Sequence, residues 1–236
     1  MSTVEEIRTR LVERRFDWAL LDREAGRASP HVLDLLRETC LIESYMPVYT
    51  SRLVDLFWGD LPALEVLTIE AFEAYTHYLT LRRYLDAVGG HAIDDGEIRS
   101  LWEGRIDERF TDPIRELVNL MATEQFAANF FTDLLGLVEE PLLRSILPVF
   151  AREEVVHSQL AYDLLVTRVE ADPAVVDRII DNALEMRHLG SYILPSVTPA
   201  GPDNLGTLLE FSRKIETLTG RPLTALMLEH LEIKAH

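Results

Sequence analysis

The chain has 236 residues, 47% of them hydrophobic, with 40 acidic against 23 basic residues and a net charge of −17. That length and apolar content suffice for one domain with a substantial core. Acidity this strong argues against nucleic acid or an anionic membrane surface as a partner. The pattern is helical almost throughout, with no convincing strand alternation. Ser29-Pro30 predicts an N-cap followed by proline at the first helical position, opening a long helix at about residue 31 that runs to about 58. Gly59-Asp60-Leu61-Pro62 predicts a tight turn into a second helix, which Gly89-Gly90 ends after about residue 88. Residues 91–110 read as a polar crossover with a short helix around 98–106. Thr111-Asp112-Pro113 predicts the cap of a third helix reaching about residue 138. A short turn before Pro141 leads into a fourth, ending near residue 170. Asp172-Pro173 starts a shorter helix to about 189, and Pro195, Pro199, Gly201 and Pro202 mark a loop. Two short helices split by Gly220-Arg221-Pro222 close the chain. No repeat, linker or low-complexity segment intervenes, so a single domain over 1–236 is expected, with its core at about 31–170.

Cys40 is the single cysteine, which excludes an internal disulfide and fits a reducing cytoplasm. Residues 1–10 are charged and lack the apolar core of a secretory signal. No apolar run approaches the roughly 20 residues that a membrane span needs. The expectation is a cytoplasmic protein without a membrane span.

Each of the four long predicted helices has about 28 residues, or roughly 42 Å at the rise of an α-helix. The order is hairpin, long crossover, hairpin. A crossover of about 20 residues can return along a bundle of that length. The predicted fold is therefore all-α, the ferritin-like variant of the four-helix bundle, with additional C-terminal helices.

The apolar stripes of these helices carry acids and histidines. The fourth reads Leu143, Leu147, Phe150, Glu154, His157, Ala161, Leu164. The third reads Leu117, Leu120, Glu124, Ala127, Phe131, Leu134, Val138. The first reads Leu36, Cys40, Glu43, Met46, Thr50, Leu53, Phe57. The second, read as Val66, Glu70, Glu73, His77, Leu81, Tyr84, Val88, carries two acids and a histidine. A buried carboxylate beside a buried imidazole is costly unless something pairs with both. Glu124 and Glu154 lie about fifteen residues either side of the turn near residue 139 and so meet at the same height in antiparallel helices. Glu43, Glu73 and His77 lie about thirteen to seventeen residues from the turn near 60. One glutamate from each of two helices, with a carboxylate–histidine set from each of the other two, is the ligand set of a carboxylate-bridged dimetal site. Such donors suit iron or manganese. Glu70 has a weaker case, as a rim residue or salt-bridge partner. Glu185 and His188 repeat the Glu-x-x-His spacing beside Arg187 and read as a solvated face. His31, His91, His230 and His236 lie at ends or in loops.

These residues resemble the soluble acyl-acyl carrier protein desaturases, over most of residues 31–195. Ile42-Glu43-Ser44-Tyr45-Met46-Pro47 is similar to the family's helix with a ligand glutamate four residues before a proline. Thr123-Glu124-Gln125-Phe126 resembles its second lone-glutamate helix, and Arg152-Glu153-Glu154-Val155-Val156-His157 its acid-Glu-x-x-His signature. Glu170-Ala171-Asp172-Pro173 continues the likeness. The second helix departs from it. In Glu73-Ala74-Tyr75-Thr76-His77 the histidine and the preceding acid are present, but Ala74 holds the ligand-glutamate position. The arginine that the family usually places before each histidine is replaced by Thr76 and Val156.

The resemblance implies two iron ions held by Glu43, His77, Glu124, Glu154 and His157. Glu73 is either the sixth ligand or an acid behind a histidine, and Glu153 stands behind a histidine. It implies a homodimer, a ferredoxin-like electron donor and dioxygen-dependent removal of hydrogens from an acyl chain carried on acyl carrier protein. Met121, Phe126, Ala127, Ala128, Phe130, Phe131, Tyr75 and Tyr78 are the expected channel walls, or else ordinary core. The acidity of the chain disfavours an acidic carrier unless Arg82-Arg83 and Arg99, Arg105 and Arg109 form a basic patch. Two other readings stay open: an oxidase or oxygenase of a small biosynthetic metabolite, and, kept open by Ala74, a degenerate, non-enzymatic ferritin-like protein whose polar interior is held by hydrogen bonds and which acts through dimerisation.

Overall fold

The computed structural model describes residues 3–104, 110–186, 205–223 and 225. The fold is all-α, and no strand occurs among the described residues. In chain order the helices are α1 (Thr3–Arg8), α2 (Arg23–Arg27), α3 (Pro30–Ser44), α4 (Met46–Leu56), α5 (Leu61–Val88), α6 (Asp95–Glu103), α7 (Pro113–Leu135), α8 (Pro141–Ala171), α9 (Val175–Leu184) and α10 (Leu205–Thr219). A π-helical turn covers Thr9–Glu13 and a 3-10 turn covers Trp18–Leu20. Among the described residues, no helix is long and apolar enough to cross a membrane.

Local chemistry explains the boundaries. Pro30 opens α3, but Ser29 caps it by position alone and makes no side-chain cap bond. Asp60 caps α5, with Oδ1 accepting from the Ala63 N–H at 3.2 Å. Gly89 and Gly90 end α5 with φ of 86° and 93°, a region that glycine enters without steric cost. Asp112 caps α7, with Oδ1 accepting from Ile114 N–H at 2.9 Å and Arg115 N–H at 3.2 Å. Glu140 caps α8, accepting from Leu142 and Leu143 N–H, and also takes the Asp22 N–H at 2.8 Å.

The first long helix expected over 31–58 is two helices. The chain breaks at Tyr45, between α3 and α4. Pro47 has no N–H to offer the carbonyl of Glu43, and its ring crowds that carbonyl, so the helical hydrogen-bond ladder is interrupted there. Tyr45 N–H turns back to Ile42 C=O at 3.0 Å instead. Glu43 therefore sits in the last turn of α3, beside the break.

The predicted loop at 195–202, His188, His230 and His236, Arg105 and Arg109, and most of the last predicted helix lie outside the described residues. So does the end of the helix predicted to reach 189, of which the structure describes Val175–Leu184.

The chain groups into two compact units, and α4, α5, α7 and α8 contribute residues to each. The first comprises Met1–Arg52, Leu67–Arg109 and Phe130–Glu153. Its buried side chains include Leu36, Cys40, Tyr45, Leu81, Tyr84, Phe131, Leu147 and Phe150. The second comprises Leu53–Val66, Phe110–Asn129 and Glu154–His236. Its core includes Leu117, Leu120, Met121, Ala161, Leu165, Ile179, Phe211 and Ile215. In this unit α10 is tied to α7 by polar contacts: Gln125 and Asn129 donate to Glu210, and Asn129 donates also to Thr207 Oγ1 at 2.9 Å.

Gly89 gives a direct check on the α5 stop. An alanine there must hold a positive φ and places its Cβ about 3.3 Å from an Arg27 guanidinium nitrogen. Gly89→Ala should cost about 1–2 kcal/mol. Thermal unfolding would register this as a fall of roughly 2–4 °C per kcal/mol; an unchanged midpoint contradicts the account.

Candidate metal centre

The stripes position the site. On α8, Leu143, Leu147, Phe150, Glu154, His157, Ala161 and Leu164 are all buried. So are Leu36, Cys40, Glu43, Met46, Thr50 and Leu53 on α3 and α4, and Phe57 just after α4. On α7 Glu124 is buried between Leu120 and Phe131, while Ala127 is only half-buried.

The inward stripe of α5 differs from the expected one. It runs Ala63, Leu67, Glu70, Ala74, His77, Leu81, Tyr84 and Val88. Steps of four, three and four residues keep one face of a helix inward, and Glu73 lies about 100° round from Ala74. Glu73 and Val66 are half-buried. Glu70 is 1% exposed, so its rim reading is corrected. Ala74, at the position that the resemblance gives to a glutamate, does face inward.

Two groups of buried side chains offer metal-ligand atoms that lie within 4.8 Å of one another: Glu43, His77 and Glu154, and Glu124, Glu154 and His157. The structure thus brings together five of the six expected ligands, and Glu154 is common to both groups. Glu73 and Glu70 are in neither. All five side chains are 7% exposed or less. Carboxylate and imidazole atoms at that spacing can hold a metal ion and fit a hard or borderline divalent metal.

In the second group, His157 Nδ1 lies 2.8 Å from Oε2 of Glu154 and 3.6 Å from Oε2 of Glu124. One nitrogen therefore faces both carboxylates. A proton and a metal ion compete for its lone pair, so metal uptake weakens as pH falls. The next residue, Ser158, is fully buried, donates to Met121 C=O at 2.9 Å and accepts from Lys214 Nζ at 2.8 Å. Burial lowers the pKa of that lysine, and the charge of Glu210 offsets part of the effect.

His77 is fixed by different means. Its Nε2 lies 2.8 Å from Oε2 of Glu153, and its ring lies 4.0 Å from that of Phe150 and 6.2 Å from that of Phe131. An ionised carboxylate only accepts, so Nε2 carries the proton and Nδ1 the lone pair. A carboxylate holding the far nitrogen of a ligand imidazole is the usual support of such a ligand. Glu153 on α8 thus meets a histidine on another helix, α5. Burial pushes its pKa up, but hydrogen bonds from His77 and Arg15 outweigh this and hold the carboxyl below its usual range. Arg15 was not signalled by the sequence: it donates to Glu153 Oε1 and, at 2.7 Å, to Thr76 Oγ1.

Cys40 is no ligand candidate. It is fully buried, and burial together with the nearby charge of Glu43 pushes its thiol pKa far up. Of the expected channel walls, Met121, Phe126, Ala128, Phe131 and Tyr78 are buried, and Tyr75, Ala127 and Phe130 half-buried. Arg82 is engaged by Asp95 at 2.7 Å and Arg83 by Glu13 at 2.9 Å, and Arg99 is exposed.

Comparison with known proteins finds no matching family model, no matching curated protein and no matching solved structure. The chemistry is therefore argued from the side chains themselves.

Because Glu154 serves both groups, its loss should be felt twice. With free Mn(II) at about 100 times its dissociation constant, each site stabilises the fold by about 2.7 kcal/mol. Thermal unfolding with and without Mn(II) should show a metal-dependent rise that Glu154→Gln abolishes and Glu124→Gln only reduces. A wild-type midpoint indifferent to Mn(II), Fe(II) and Co(II) counts against a metal site.

Proposed function

We propose that this protein is a ferritin-like, dinuclear metal oxidoreductase that uses dioxygen, with iron as the metal and an apolar acyl chain as the substrate. The observation that carries the reading is the position of Glu154 in both ligand groups. A carboxylate offered to two neighbouring metal ions can bridge them, and buried pairs of Glu and His on bundle helices are the usual donors of such centres. Glu43 and His77 would hold one ion, Glu124 and His157 the other. When bound, the pair of ions supplies the two-electron reduction of dioxygen that hydrogen removal from an unactivated chain requires.

The protein's own contribution is specific. Glu153 holds the His77 ring in one tautomer and orientation. Phe131 and Phe150 keep that ring dry, which strengthens each electrostatic interaction around it. The burial of all five ligands excludes bulk water from the reacting position. Met121, Phe126 and Ala128 on α7 are the apolar side chains best suited to line a substrate channel. The electrons come from a ferredoxin-like donor, and the chain works as a homodimer; both follow from the resemblance to the acyl carrier protein desaturases.

One observation favours a second reading of the substrate. Arg82 and Arg83 are engaged by Asp95 and Glu13 on their own chain, which leaves them poor anchors for an acidic carrier protein. A free acid or other small metabolite fits this acidic surface better than an acyl group on acyl carrier protein.

Ala74 discriminates the metal readings. It lies inward on α5, one turn before His77, where a glutamate would add a donor. Anaerobic loading with Fe(II), followed by metal analysis and admission of oxygen, should give close to two irons per chain and an optical change. Ala74→Glu should raise occupancy or affinity at the His77 side. Fewer than about one iron per chain, no optical change, and an Ala74→Glu variant that is only destabilised would leave the non-enzymatic reading standing.

A further inference from the structure

Three side chains that are not ligands meet beside the centre. Arg15 comes from the N-terminal segment between the π-helical turn and the 3-10 turn, Thr76 from α5 and Glu153 from α8. Thr76 immediately precedes His77, and Glu153 immediately precedes Glu154. Arg15 Nη1 donates to Thr76 Oγ1 at 2.7 Å, and Nη2 donates to Glu153 Oε1. Glu153 spends its other oxygen on His77 Nε2 at 2.8 Å.

The same segment packs against the same ring. Phe16 meets Phe150 edge-on at 6.1 Å between ring centroids, and Phe150 lies against His77 at 4.0 Å. The Arg15 guanidinium stands 5.4 Å from the Phe16 ring and 5.9 Å from the Phe150 ring. Trp18 anchors the segment to itself, donating to Val12 C=O at 3.1 Å.

We propose that Arg15 is a positioning residue of the metal centre, which locks the His77–Glu153 pair so that His77 offers the metal its Nδ1. This rests on the metal reading given above. The argument is one of geometry and charge. Glu153 can hold the far nitrogen of His77 only while its carboxyl is correctly turned. The guanidinium supplies the counter-charge to one oxygen, leaving the other to the imidazole. Its fork reaches a second element at the same time, and a single ammonium cannot reproduce that two-point contact. Arg15 and Glu153 are both only about a fifth exposed, at 23% and 22%, so the pair is shielded from the screening that makes surface ion pairs weak. The polar hydrogens of His77, Arg15 and Thr76 are thereby committed to one arrangement across the N-terminal segment, α5 and α8.

The test is an anaerobic Co(II) titration of the full chain, read by the visible d–d spectrum and by affinity. His77→Ala and His157→Ala assign which cobalt belongs to which histidine. Arg15→Gln should weaken the His77 cobalt by about 10–100-fold and shift its spectrum, as loss of a ligand's outer support does, and leave the His157 cobalt as in wild type. Glu153→Gln should do the same, and the double variant should be no worse than either single one. Arg15→Lys should recover part of the loss. Trp18→Phe, which loosens the same segment without touching Glu153, should leave both cobalts unchanged.

Wild-type affinity and spectrum in a folded Arg15→Gln overturn the proposal. So does an equal loss in Trp18→Phe, which would make the segment mere packing, and so do additive losses in the double variant. If Arg15→Gln does not fold, the isosteric Glu153→Gln carries the test alone, and wild-type cobalt binding there overturns it. A wild-type chain that takes up no Co(II) is a different result: it removes the metal reading itself.

Discussion

The burial of ionisable side chains is the constraint on which the rest of this structure depends. Glu43, Glu70, Glu124, Glu154, His77 and His157 are all 7% exposed or less. An unpaired carboxylate in such surroundings costs several kcal/mol, more than most single packing contacts return. The surroundings answer that cost locally. Glu154 meets His157, Glu153 meets both His77 and Arg15, and the apolar residues above and below each ligand fill the remainder of every stripe. A metal ion shared by these groups would convert the costliest part of the core into its firmest part.

The two histidines are held by different groups. His157 faces Glu124 and Glu154 through one nitrogen, and the adjoining Ser158 is bound to Met121 and Lys214. His77 has a carboxylate, an arginine behind that carboxylate, and two aromatic rings, Phe131 and Phe150, packed against it and against each other. The histidine held by a carboxylate backed by an arginine is on the helix that carries Ala74. If a metal binds there, rigid placement of His77 would offset part of the cost of having no donor at Ala74, since a preorganised ligand gives up less entropy on binding.

Much of this was legible in the chain. The long helices showed themselves through stripe periodicity, and their ends through Pro30, Gly89-Gly90 and Asp112-Pro113, because capping and breaking are local chemistry. Glu43, Glu124, Glu154, His77 and His157 stood out as polar members of apolar stripes for the same reason. The α5 stripe was harder. Between Glu70 and His77 both Glu73 and Ala74 satisfy a helical step, and the two acids drew the reading to Glu73 although alanine packs inward. The break at Tyr45 is the effect of Pro47 in a segment whose stripe continues unbroken past it, so periodicity hid it. Arg15 left no signal at all. Nothing in residues near 15 indicates a carboxylate near 153, and such contacts exist only in the folded chain. The ferritin-like arrangement and the acyl substrate remain inferences from pattern and resemblance, and the architecture stands at all-α.

The contact between Arg15 and Glu153 spans 138 residues of sequence. Arg15 is made well before Glu153, so the pair cannot form while α8 is still to be synthesised. His77 likewise waits for Glu153, and the ligand Glu154 follows one residue later. Neither histidine can reach its final setting on a nascent chain that lacks α8. A metal ion held by His77 and Glu154 would therefore have to wait until α8 is folded.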